Sequence, residues 1–245
     1  MNSRNDANPH MKWSRPREIV FIRHGESLRN VIMGDHYNLQ DEEAVARLDG
    51  KYDHDIPLTE RGHQQALISG PRIMADIGIP DFVYHSGYVR AQQTKDCLLA
   101  DLPSEQRAKI QVRHSIKLRE RDPGYTWHMT QAEVDRHFPW IKEYYRRAGK
   151  LFYRPPGGES ILDVHDGRLH GLLNSVIRDR PGKTVWFVCH GHVMRAARIL
   201  MERLTIAEAG AMVLEPVLNV AVTRYVYARG ASGPQRTHLN KVYWE

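Results

Sequence analysis

The sequence predicts an α/β fold around a mostly parallel sheet, and three observations carry that reading. Residues 19–22 (IVFI), 82–84 (FVY) and 185–189 (VWFVC) are apolar runs without polar alternation, as in strands buried on both faces. Each run ends abruptly in polar or small residues: Arg23-His24-Gly25, His85-Ser86-Gly87 and His190-Gly191. Segments that read as helices separate or follow the runs, the alternation expected of parallel strands with helical crossovers. Ligands in open α/β sheets collect at the carboxyl ends of strands. Arg23, His24, Arg90 and His190 are therefore expected in one crevice.

In chain order, residues 1–16 are polar, without the apolar stretch of a secretory signal, and read as a disordered tail. Residues 17–245 read as a single domain. Residues 31–55 are longer than a usual α/β connection, which marks a functional insertion; a helix is expected near 41–48. Thr59 is a good N-cap for a helix over 60–77 that Gly78 closes. Pro71 predicts a kink or a break inside it. After the strand at 82–85 come a helix over 88–100 and a short strand at 110–113. Pro123-Gly124 is a turn. Thr130 with Glu133 forms a capping box, and a second helix follows Pro139, so that about 125–155 forms a helical excursion above the sheet. Its aromatic residues Tyr125, Trp127, Tyr144, Tyr145, Phe152 and Tyr153 are read as core by default. Ser160 caps a long helix with Leu162, Leu169, Leu172, Leu173, Val176 and Ile177 on its inner face. A helix over 192–203 follows the third apolar run, and Thr205 with Glu208 caps another. Residues 219–227 alternate as in an edge strand, and the last ten residues read as one more strand.

Composition narrows the function. Apolar content of 41% supports a core, and no apolar run approaches the length of a membrane span. Two cysteines, Cys97 and Cys189, imply no disulfide framework and fit a reducing, cytoplasmic setting. The net charge of +6 reads first as a solvated basic surface and, more sharply, as an attraction for anionic substrates. No nucleic-acid motif and no basic run with interleaved aromatics is present.

Arg23-His24-Gly25-Glu26-Ser27, with Asn30, resembles the signature of the histidine phosphatase, or phosphoglycerate mutase-like, superfamily. Further stretches resemble that family in the same order: 57–62 (PLTERG) with Gln65-Ala66, 90–94 (RAQQT), Leu118-Arg119-Glu120, 156–160 (PGGES) and 188–191 (VCHG). The resemblance implies a three-layer sandwich, with a mostly parallel central sheet flanked by helices. It implies His24 as the nucleophile that takes a phosphoryl group and Glu120 as the proton donor, with Asp122 as the rival acid. Arg23, Arg90, Ser27, Asn30, His190 and the helix start at Gly191 would cradle the phosphate. Burial beside phosphate would raise the Glu120 pKa. Gly157-Gly158-Glu159-Ser160 reads first as a flexible turn into a helix cap; because the family places this turn beside the site, Glu159 would alternatively support the site from behind. His192 stands where the family more often has a small residue, so it either lines the mouth or is a surface histidine. His190-x-His192 has a metal-ligand spacing, but no acidic or cysteine cluster accompanies it, and no metal or other cofactor is expected.

Within the family, the mutase pattern after the glutamate is Arg-His-Tyr-Gly-Gly-Leu. This chain has Arg121-Asp122-Pro123-Gly124-Tyr125, with Leu28 and Arg29 in place of an acid and a tryptophan. The resemblance is closer to the broad-range phosphatase branch. The expected activity is hydrolysis of small phosphomonoesters. A cofactor-dependent mutase or a non-catalytic phosphate-binding module is the alternative.

Overall fold

The computed structural model describes residues 13–34, 36–231 and 233–245. Among them lie six strands: β1 (Glu18–Arg23), β2 (Phe82–His85), β3 (Gln111–His114), β4 (Thr184–Cys189), β5 (Val222–Val226) and β6 (Gln235–Lys241). They form one sheet in the order β3-β2-β4-β1-β5-β6. β1, β2, β3 and β4 are parallel, while β5 and β6 are added antiparallel.

The unpatterned apolar runs are explained by two cores, one on each face. Ile19, Phe21, Val185, Phe187 and Tyr225 point into one, and Val20, Ile22, Trp186, Val188 and Val222 into the other. Alternation exists, but both sides of it are apolar. The first core is covered by the helices Ile161–Val164, His170–Asp179, Gly191–Glu202 and Ile206–Met212. The second is covered by Glu60–Ile77 and Val89–Leu98. This is the expected three-layer sandwich.

The Thr59, Thr130 and Thr205 caps form as predicted, and Asp41 caps the helix Glu42–Leu48 inside the insertion. Several expectations are corrected. Pro71 does not divide Glu60–Ile77. Its ring is exposed, so the lost hydrogen bond falls on the solvated side of the helix, where water can replace it. The helix after Ser160 is interrupted by a π segment, His165–Leu169. β5 lies between β1 and β6, so the sheet edge is β6. Of the excursion aromatics, Trp127 and Tyr153 are buried, but Tyr125, Tyr144, Tyr145 and Phe152 are exposed. Residues 1–12 of the expected tail lie outside the described residues. Trp13 packs on the first core, and the Arg15 carbonyl accepts the Gly182 N–H at 2.8 Å. The packed chain therefore begins ahead of residue 17.

The insertion and the excursion form a roof. Met33, Leu39, Leu48, Ile56 and Trp127 share a small core there. Gln131 N–H donates to the Leu39 carbonyl at 2.7 Å, stitching one segment to the other. Beneath the roof Gly25 meets Gly62 so closely that a Cβ on Gly25 would lie 2.5 Å from the Gly62 carbonyl oxygen. Glycine lets the loop after β1 sit directly on the Glu60–Ile77 helix. Among the described residues no helix is long and apolar enough to cross a membrane.

Candidate active site

β1 ends at Arg23 and presents His24 at its carboxyl end. His24 is 3% exposed, and its Nδ1 lies 2.7 Å from the Gly25 carbonyl oxygen. A carbonyl only accepts, so Nδ1 carries the proton and Nε2 keeps its lone pair. Burial, followed by the charges of Arg90 and Arg23, holds the His24 pKa well below that of an ordinary histidine. His24 is thus a neutral imidazole at neutral pH. Its backbone is fixed from below: the Asn219 amide and the Val220 N–H both donate to the His24 carbonyl. Val220 sits at φ +52°, a costly conformation for a β-branched residue.

β4 delivers His190 alongside, with ring centroids 5.2 Å apart. His190 Nε2 is 2.8 Å from Ser86 Oγ, and that oxygen also accepts the Tyr88 N–H. That oxygen has a proton to donate to Nε2 and a second lone pair to accept from it, and the other ring nitrogen, Nδ1, is buried with no protein partner. Burial and then Arg90 hold His190 well below the usual range, so in these surroundings it is a neutral ring rather than a cation.

Arg90 opens the helix after β2. It is 3% exposed; its Nη2 lies 2.9 Å from Asp53 Oδ1, and its Nη1 donates to the Asp53 carbonyl. Asp53 belongs to the insertion, which thus reaches down and grips a phosphate-binding candidate. Ser27 caps the helix Leu28–Met33 in a box with Asn30. Asn30 Oδ1 accepts from Ser27 and Asn219, which leaves its NH2 group available to an anion.

Arg23, His24, Ser27, Asn30, Arg90 and Glu120 line one cavity of about 280 Å³. Gly191 opens the Gly191–Glu202 helix and borders an adjoining cavity of about 450 Å³, which Arg23 and Glu120 also line. His190 backs His24 rather than lining either. Every site residue expected from the sequence is therefore in or beside one cleft.

Glu120 Oε1 accepts the Arg121 N–H at 2.7 Å and lies 3.3 Å from His192 Nδ1, at ion-pair distance. The raised pKa is expected beside a bound phosphate; in the free protein the balance runs the other way. Burial does push it up, but His192, His190 and the Arg121 N–H outweigh burial and hold Glu120 well below an ordinary carboxyl. His192 is held at about 4 by burial, so Glu120 is the charged member of the pair at neutral pH. The rival acid, Asp122, is exposed, and its Oδ1 accepts the Gly124 N–H in the following turn. Asp122 lines neither cavity.

Comparison with known proteins gives this cleft its family. The sequence profile of the histidine phosphatase superfamily (branch 1) matches residues 19–237. The chain belongs to the histidine phosphatase superfamily. It is 31% identical to phosphoglycerate mutase-like protein AT74H of Arabidopsis thaliana over 67% of this chain, and that match spans 54% of the relative's length. It is 30% identical to a 2,3-bisphosphoglycerate-dependent phosphoglycerate mutase of Brucella anthropi, over 84% of this chain and 89% of that one. Among solved structures, Bacillus stearothermophilus YhfR superposes with a TM-score of 0.70 at 23% identity, over 93% of this chain and 99% of that one. Phosphoserine phosphatase from Entamoeba histolytica gives 0.66 at 22% identity, over 93% and 98%. These structural likenesses show the fold.

In this member of the superfamily the segment carrying Glu120 has no regular structure of its own, so its hydrogen bonds come from elsewhere. Arg168, 6% exposed and in the π segment, donates to the carbonyls of Lys117, Arg119 and Glu120. Its Nε and Nη2 also reach Glu159 at 3.0 and 2.8 Å. Glu159 accepts further from Arg119 and from the Asp122 N–H. A π segment at this point fits its habit of appearing where a side chain must be aimed. Glu159→Ala would leave Arg168 and Arg119 without their carboxylate, at a cost of about 3–5 kcal/mol. Urea denaturation measures that loss. Any phosphatase activity should fall as well, by about 100-fold, because Glu120 loses its frame.

Sequence reasoning missed Asp53, Ser86 and Thr94. Thr94 Oγ1 accepts the Gly25 N–H and donates to the Arg90 carbonyl, tying the nucleophile's loop to the phosphate-binding arginine. Thr94 stood in a stretch resembling the family. Asp53 stood in a segment whose position over the site follows only from tertiary packing, whereas Ser86 stood at a strand end expected in the crevice but was given no role there.

Proposed function

We propose that the chain is a phosphomonoester phosphatase that works through a phosphohistidine on His24. The observation that carries this reading is the His24 imidazole: buried, neutral, with Nδ1 tied to a carbonyl and Nε2 free, beside two guanidiniums in a cleft sized for a phosphate and a small leaving group. In the first step Nε2 donates its lone pair to phosphorus and the P–O bond to the leaving group breaks. Glu120, protonated in the complex, gives its proton to that oxygen, so an alcohol departs. Arg23, Arg90 and the Asn30 amide face the equatorial oxygens, where charge is carried through the transition state, and His190 backs His24. In the second step Glu120, now a carboxylate, takes a proton from water as it attacks phosphorus. The N–P bond breaks, and phosphate and neutral His24 are regenerated.

A mutase is the second reading, because curated relatives at 30% identity carry that name. The residues after Glu120 argue for hydrolysis instead: Asp122-Pro123-Gly124 makes a tight turn where the mutase pattern places His-Tyr-Gly. Incubation with 3-phosphoglycerate and its bisphosphate separates the two. Release of inorganic phosphate without isomer is expected; isomer without phosphate release would overturn the phosphatase reading.

A further inference from the structure

Arg29 sits one turn beyond the nucleophile, on the helix Leu28–Met33, and lines the same cavity as His24 and Glu120. Its guanidinium carbon lies over the Trp127 indole, 3.7 Å from the ring centroid. Trp127 is fixed in turn by the roof core and by its Nε1–H on the Lys51 carbonyl. The other arginines of the cleft each donate hydrogen bonds to the protein, although the Nε atoms of Arg23 and Arg121 are also buried without a partner. Arg23 donates to the Val217 carbonyl, Arg90 to Asp53, Arg121 to Tyr37 and the Glu159 carbonyl, and Arg195 to the Val213 and Glu215 carbonyls. Arg29 has no hydrogen bond or ion pair among the described residues, and its Nη1 is buried without a partner. A buried charged donor left unmet is a group awaiting an acceptor.

The charge balance of the cleft points the same way. Among the described residues, the two adjoining cavities are lined by those five arginines and Lys150, and by the acids Asp53 and Glu120. A phosphate dianion at His24 offsets only part of that excess. We propose that Arg29, held on Trp127, binds a second anionic oxygen group, a carboxylate or a phosphate, on the leaving group of the substrate. This deepens the phosphatase reading and rests on it for the position of the first phosphate. Stacking on the indole removes the rotamer freedom that an arginine normally loses on binding, and it leaves the edge of the fork free for in-plane hydrogen bonds to a planar anion.

The test is calorimetric, on His24→Ala protein so that no turnover intervenes. The probes are 3-phosphoglycerate and glycerol 3-phosphate, which differ by a carboxylate in place of a hydroxymethyl group. The carboxylated probe should bind at least about tenfold more tightly, and adding Arg29→Met should bring that ratio below about threefold. Arg29→Gln, which keeps a polar head on a shorter stem, provides the same readout if Arg29→Met does not fold. Equal affinities for the two probes, or a preference that survives loss of Arg29, would overturn the proposal. Phosphate release by the protein with His24 intact is measured alongside. Its absence would defeat the phosphatase reading, while the affinity ratio would still judge the subsite.

Discussion

His24→Ala is expected to lower phosphate release by about 10⁴-fold or more, the scale on which removing a nucleophile disables a hydrolase. The same change should abolish a labelled covalent adduct. That adduct is to be trapped by a denaturing quench at alkaline pH, because the N–P bond of phosphohistidine is labile in acid. The physical ground is the state of the ring. With its Nδ1 proton held by the Gly25 carbonyl, Nε2 is the only nitrogen of His24 that can form a bond to phosphorus. Arg23 and Arg90 serve twice, keeping the ring unprotonated and drawing the anion to it. A residual rate within about 100-fold of the starting protein would mean that water or another group attacks phosphorus directly. Persistence of the labelled adduct would mean that a different residue carries it. His190 is the natural suspect, but its Nε2 is engaged by Ser86 and it lies behind His24.

Much of this site was legible because strands buried on both faces announce themselves. The runs containing Phe21 and Phe187 need no alternation to be recognised, and each delivers its histidine at a fixed point, the last residue before the turn. Arg90 was legible for a related reason: β2 is short and buried, so the residue opening the following helix is pinned to the sheet's carboxyl end. Roof residues were not legible in this way. Asp53 and Trp127 come from segments whose local pattern says only turn or loop, and whose position depends on how Leu39, Leu48 and Ile56 pack together. The lowered Glu120 pKa of the free protein was not legible, for an electrostatic reason. Burial and a bound phosphate both raise a carboxyl, and sequence supplies both; the opposing contribution of His192 and the Arg121 N–H exists only in three dimensions. His192, ambiguous as a residue in a row, proves to face the acid.

The Glu120 pair also decides how activity should depend on pH. In the free protein His24 and Glu120 both titrate well below neutrality. Between about pH 5 and 8 the ionisation visible in kcat/KM therefore belongs to the substrate, whose second phosphate pKa is near 6. The reacting complex contains one proton, which arrives on the phosphate monoanion and is passed to Glu120. Bound phosphate charge makes that transfer favourable, since a neighbouring dianion penalises a carboxylate. As pH rises through about 6 the monoanion disappears, and kcat/KM should fall about tenfold per pH unit above it. Below 6 it should be level until His24 protonates. Glu120→Gln removes the carrier of that proton. For an alkyl phosphate, whose leaving alkoxide is strongly basic, the rate should drop about 10²–10⁴-fold. For 4-nitrophenyl phosphate, whose leaving group departs without a proton, the drop should stay within about tenfold, and the decline above pH 6 should vanish because the dianion now reacts as well. Equal losses with both esters, or an unchanged basic limb with the aryl ester, would show that Glu120 does not deliver the proton. His192 would then be the next group to test, since it is the ring that touches Glu120.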